Sequence, residues 1–152
     1  MEANRLTREA LFAAVDQVSR EPTLPLEVQT YDENDFGYYD QQEIWFLRGS
    51  TNDYRDTVHF WLKALQYIFS LLGSKTFDKD SLTDDLTLCK EISLEDFTRI
   101  RKWYYAGAKT DDHFALRGQF QQAWLMLDEG YEIAVLARTD CEFVAFWWET
   151  TN

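Results

Sequence analysis

Side chains able to do acid-base or metal chemistry are sparse in this chain. Its two histidines are His59 and His113. Asp111-Asp112-His113 places two carboxylates beside an imidazole, a donor set suited to a divalent metal, yet adjacent residues of an extended segment point to opposite faces. The triplet therefore reads as a solvated loop entering a strand. His59 falls one helical turn from both Arg55 and Lys63, two cations that hold an imidazole neutral, and reads as a surface histidine. The two cysteines, Cys89 and Cys141, lack C-x-x-C or other ligand spacing. Both fall in segments that read as strand, where a thiol packs like a small apolar group. No metal site and no cofactor is expected. Nucleophile signatures such as G-x-S-x-G and S-x-x-K are absent, and the glycines, Gly37, Gly49, Gly73, Gly107, Gly118 and Gly130, stand singly rather than as a phosphate-cradling loop. No motif supports an enzymatic reaction.

Charge is the compositional feature with functional content. The 152 residues carry 27 acidic against 15 basic side chains, a formal charge of -12. Such a field repels nucleic acid and anionic lipid surfaces. Arg99-Ile100-Arg101-Lys102-Trp103-Tyr104-Tyr105 mixes bases with aromatics, but on a helix these side chains diverge, so direct nucleic-acid binding is not expected. The acids are unevenly spread. From Glu27 to Glu43 come Glu27, Asp32, Glu33, Asp35, Asp40 and Glu43 with no Lys or Arg among them, and a second run holds Asp78, Asp80, Asp84, Asp85, Glu91, Glu95 and Asp96. Solvated loops and helix starts account for many such residues.

Aromatic residues are abundant, with 6 Trp, 8 Tyr and 11 Phe, and most must be core in a chain this size. Phe36, Tyr38 and Tyr39 instead stand inside the most acidic stretch. Aromatic anchors among carboxylates are what a docking surface for a basic protein would use. The expected partner site is therefore Asp32, Glu33, Asp35, Phe36, Tyr38, Tyr39 and Asp40.

The elements that must position these residues follow from periodicity. Length and composition predict a single α+β domain spanning 1–152, about three helices packed on a mostly antiparallel sheet with a C-terminal three-stranded meander. A first helix is predicted from Thr7 to Ser19, with Leu11, Ala14, Val15 and Val18 on one face, ended by Pro22 and Pro25. Strands follow over Leu26–Tyr31 and Glu43–Arg48. A long helix from Asp53 to Leu72 is predicted with a capping box at Ser50 and Asp53 and a stop at Gly73. One stripe, Tyr54, Val58, Trp61, Leu62, Leu65, Ile68, Phe69 and Leu72, faces the core. Phe60, Ala64, Tyr67 and Leu71 form a second stripe, leaving Arg55, His59, Lys63, Gln66 and Ser70 as a polar seam. Leu86–Cys89 reads as a short strand, and Ser93 caps a helix to Ala106 with Leu94, Phe97, Ile100 and Tyr104 buried. Phe114–Leu127 fits a strand with a bulge at Gly118, and it also fits a helix; strand is chosen. Asp128-Glu129-Gly130 then turns into Tyr131–Arg138, and a corner at Thr139-Asp140 leads to Cys141–Glu149. Tyr131, Ile133 and Val135 should share a core face with Val144, Phe146 and Trp148, and the opposite face should be partly exposed or line a groove.

The start Met1-Glu2-Ala3-Asn4-Arg5 lacks a secretion pattern, and Lys63, Gln66 and Glu132 interrupt the apolar stretches, so a cytoplasmic protein with no membrane partner is expected. The function expected is a non-enzymatic acidic interaction module that docks a basic protein, of an inhibitor, immunity-like or anti-defence type. Two alternatives remain. One is a small-molecule or enzymatic domain with a pocket between the long helix and the sheet, using His59 or Asp112 and His113. The other is a homodimer or larger assembly of this chain, formed through the second stripe.

Overall fold

A computed structural model describes residues 5–31, 42–73, 76–105 and 115–150. Six antiparallel strands form one sheet: β1 (Glu27–Tyr31), β2 (Gln42–Ser50), β3 (Lys90–Ile92), β4 (Phe120–Glu129), β5 (Glu132–Thr139) and β6 (Glu142–Thr150), in the order β1-β2-β6-β5-β4-β3. Three α-helices accompany it among the described residues: α1 (Arg8–Arg20), α2 (Thr57–Leu71) and α3 (Leu94–Tyr105). The α+β class and the C-terminal meander are thus as predicted. No helix among the described residues is long and apolar enough to cross a membrane.

Alternation along the strands gives the sheet two buried faces. One carries Trp45, Leu47, Ala134, Leu136, Phe143, Ala145 and Trp147, packed under α1 and α2. Trp61 of α2 stacks on Trp147 with ring centroids 6.1 Å apart, and Phe60 stacks on Phe143 at 5.4 Å. The other face carries Ile44, Phe46, Ile133, Val135, Ala137, Val144, Phe146 and Trp148, with Phe97 of α3 against it. The face expected to be half open is therefore the main core. The cover supplied by α1 and α2 explains why. In the hairpin Arg138 pairs with Phe143 rather than Cys141, with Asp140-Cys141 as the corner, a register two positions from the predicted one. A shift of two keeps every side chain on its face. Tyr131 falls in the preceding turn and is exposed.

Several boundaries differ from expectation for local reasons. β2 continues through Ser50 into a turn in which the Asp53 and Tyr54 amides donate to the Ser50 carbonyl. The long helix begins only at Thr57, because Asp56 is its cap: the Asp56 carboxylate accepts from the His59 amide at 2.8 Å. Leu86–Cys89 is not a strand. Asp84–Leu86 is a 3-10 turn, and Cys89 takes φ +51, which no strand residue adopts, so pairing starts at Lys90. Ser93 caps α3 as predicted, accepting from the Asp96 amide at 3.0 Å, while Leu94 is exposed. Within segment 114–127, described from residue 115, strand begins at Phe120. Gly118 precedes it at φ +83, where a Cβ would lie 2.2 Å from Asp140 Oδ1, and irregular register falls instead at Phe120/Gln122 and Leu125/Leu127.

The polar seam of α2 is surface only at Arg55 and Ser70. His59 and Lys63 are buried at 3% and 7% exposure, covered by the C-terminal end of α1. Lys63 Nζ donates to the Glu21 carbonyl at 2.8 Å, and Gln66 Nε2 donates to the Ser19 carbonyl at 3.0 Å, satisfying acceptors that a helix end leaves open. Arg55 pairs with the Glu21 carboxylate at 2.7 Å, and its amide donates to His59 Nδ1 at 3.0 Å. The seam staples two helices together. Of the second stripe, Phe60 and Ala64 are already buried within the chain, while Leu71 is exposed.

Candidate functional site: an acidic sheet end

Asp32, Glu33, Asp35, Phe36, Tyr38, Tyr39 and Asp40 lie outside the described residues, as do Asp111, Asp112 and His113. The strands that bracket 32–41 are described. β1 ends at Tyr31 and β2 opens at Gln42, so both finish at the same end of the sheet, with Tyr31 opposite Ile44.

At that end the register assembles a row of like charges. Glu43 of β2 stands opposite Glu149 of β6, Glu149 opposite Glu132 of β5, and Glu132 opposite Glu129 of β4. Register partners project to one face, here the face of Trp45, Trp147 and Ala134 that α2 covers. Directly opposed carboxylates repel one another, so the sheet keeps this rung at a cost in stability. Burial, followed by the Glu132 and Glu43 charges, pushes Glu149 up to about 6. Burial and the nearby Asp85 raise Glu132 as well, while the Trp147 indole favours its ionised form.

Beside the rung runs a groove of about 240 Å³. Its apolar wall comes from Ile68, Phe69 and Leu72 at the end of α2 together with Leu86, Leu127 and Trp147, and its acidic wall from Glu132, Glu149 and Asp85. The last turn of α2 holds no basic residue, so the negative end of its dipole adds to the carboxylates. Leu71, Leu72 and Tyr131 are exposed nearby in the chain. Trp147 is buried at 3% exposure, and its Nε1–H, near enough to Glu132 to favour the carboxylate, makes no well-formed hydrogen bond.

The opposite end of β6 contrasts with this. Glu142 pairs with Arg48 at 3.2 Å, both nearly inaccessible, and accepts from the Arg117 amide at 2.7 Å. Arg48 also donates to the Ala115 carbonyl and lies over the Phe46 ring at 4.9 Å. Arg117 in turn holds Glu27 at 2.9 Å. A cleft of about 430 Å³ adjoins these groups; Arg48 and Arg117 in its lining are matched by Glu142 and Glu27, and Asp53 adds a further carboxylate.

The second acidic run is largely spent on local structure. Asp78 caps a 3-10 turn at Lys79–Ser81, Asp84 pairs with Arg8, Glu91 accepts from Gln122, and Asp96 pairs with Arg99. Asp85 alone of that run lines the groove. Among the described residues no three His, Cys, Asp or Glu side chains are grouped to hold a metal ion. Both cysteines are free thiols. Burial pushes Cys89 up to about 11, which leaves it a poor nucleophile, and Cys141 sits in the β5–β6 corner. His59 is sealed between helices, and burial lowers its proton affinity further than its Arg55 neighbour does.

Sequence reasoning missed the rung. Its signal was present, since Glu129 and Glu132 flank the Gly130-Tyr131 turn and must face each other once that turn is placed. No protein-family model matches the chain, and no curated protein or solved structure was found to be similar to it.

Proposed function

We propose that this protein is a non-enzymatic interaction module that docks a basic protein partner through the acidic end of its sheet. The observation that carries the reading is the rung Glu43, Glu149, Glu132 and Glu129. Repelling carboxylates held in register against a partly apolar groove are costly alone and favourable against a cationic surface, with charge steering the encounter and apolar contacts holding it. The sequence-predicted set Asp32, Glu33, Asp35, Phe36, Tyr38, Tyr39 and Asp40 belongs to the segment leaving from Tyr31 and returning at Gln42, and we extend the docking surface to it. A net charge of -12 supports the same partner chemistry. An inhibitor or immunity-like role, in which the module occupies the cationic surface of a nucleic-acid-handling protein, is the concrete form proposed, acting in the cytoplasm.

The test uses a Lys/Arg-rich peptide as the probe in titration calorimetry. Binding should weaken steeply between low and moderate salt. Glu132→Gln with Glu149→Gln should weaken it roughly tenfold, and Asp35→Lys should weaken it further. Asp80→Asn with Glu95→Gln removes the same charge elsewhere and should change it less than twofold. Equal losses from both charge-matched pairs would leave only the overall charge acting and would overturn the site.

A further inference from the structure

Resting on that reading, we infer that the groove between the end of α2 and the β5–β6 hairpin receives a single Lys or Arg side chain of the basic partner, its aliphatic stem along the apolar wall and its cationic head at Glu132 and Glu149. Three features carry this. The first is shape. A cavity of about 240 Å³ is below the usual range for a drug-sized ligand and suits one extended side chain. The second is the two-sided lining: Ile68, Phe69, Leu72 and Trp147 offer carbon surface to a methylene stem, while the carboxylates stand on the other wall.

The third feature is Trp147. Its indole is almost fully buried and lines the groove, and its N–H, close to Glu132, makes no well-formed hydrogen bond. That N–H acts on Glu132 in the sense that favours the carboxylate over the acid. Burial and Asp85 oppose the ionisation of Glu132. A cation at Glu132 and Glu149 offsets both effects. It stabilises both carboxylates, and an ionised Glu132 accepts from the indole N–H more strongly than the neutral acid does, as a charge-assisted hydrogen bond. A neutral side chain of equal length would fill the same space without stabilising either carboxylate. The α2 dipole, unopposed by any base in its last turn, adds to the preference for positive charge.

The experiment observes the indole N–H signals of the full chain by NMR during titration with Nα-acetyl-lysine amide, Nα-acetyl-arginine amide and, as the neutral control, Nα-acetyl-norleucine amide. The lysine or arginine probe should move the Trp147 signal saturably while most of the other indole signals, from a total of 6 Trp, stay in place. The norleucine probe should bind at least tenfold more weakly, and Glu132→Gln with Glu149→Gln should reduce the lysine or arginine affinity about tenfold. No saturable movement of Trp147, or equal movement with norleucine, overturns the inference. If the Lys/Arg-rich peptide still binds in a carboxylate-dependent way in that case, the docking surface stands and only the groove's role falls. If the peptide fails to bind at all, both fall.

Discussion

Glu142 and Glu149 begin and nearly end the same strand, and they meet opposite surroundings. Glu142 is buried against Arg48, accepts from the Arg117 amide, and belongs to a network in which each charge has a counterpart. Glu149 is flanked by Glu43 and Glu132 and has a raised proton affinity. Both environments are built by regular antiparallel pairing, so neither is an accident of a loose segment. One end uses charge to hold the fold together. The other accumulates charge that the fold does not neutralise, the pattern expected where local stability has been exchanged for recognition.

Breaking the matched end should have the largest effect. Glu142→Ala leaves the Arg48 guanidinium buried without its carboxylate and should lower unfolding free energy by about 3–5 kcal/mol in urea denaturation. Replacing both partners, Arg48→Met with Glu142→Leu, should recover most of that loss, because no buried charge is then left alone.

At the unmatched end the sign reverses. Glu149→Gln removes repulsion and should stabilise the protein by about 1 kcal/mol at pH 7, a figure reduced for solvent screening of a partly exposed group. Acid should separate the two regions further. A folded-state value near 6 exceeds the ordinary 4.5, so ionised Glu149 costs stability at neutral pH, and protonating it relieves that cost as pH falls through about 6. His59 works oppositely. Its folded-state value lies below 6.5, so its contribution is present above 6.5 and declines as pH drops below that. Denaturation between pH 7 and 5 should therefore show a steeper loss in Glu149→Gln than in the parent chain. The smallest change expected is from Glu43→Lys, which places an ammonium opposite Glu149 at an exposed position and should add a few tenths of a kcal/mol.

The helices and strands were legible where periodicity was strong and unopposed. Leu11, Val15 and Val18 gave α1, and the alternation from Ile133 to Trp148 gave the hairpin faces despite a corner misplaced by one residue, because the pairing then shifts by two and parity is preserved. What failed was local chemistry competing with pattern. Asp56 rather than Ser50 caps the long helix, and the left-handed backbone at Cys89 delays the third strand. His59 looked exposed because it falls in line with Arg55, Lys63, Gln66 and Ser70 on the polar side of its helix. The lid over it is the end of α1, joined by backbone carbonyls that carry no residue signature. The glutamate rung was hidden for a related reason: apart from Glu129 and Glu132, which flank one turn, its members are far apart in the chain and meet only through strand order. Acidity of the chain was plain from composition, whereas its concentration in register at one sheet end required the pairing of four strands.

The most direct measurement is the carboxyl titration of Glu149 and Glu132 by NMR, free and saturated with the Lys/Arg-rich peptide. Uncompensated charge awaiting a cation predicts a Glu149 midpoint near 6 in the free protein, falling toward the ordinary range on binding, with Glu132 moving in the same direction. A free-protein midpoint near 4.5, or midpoints unmoved by saturating peptide, would contradict it.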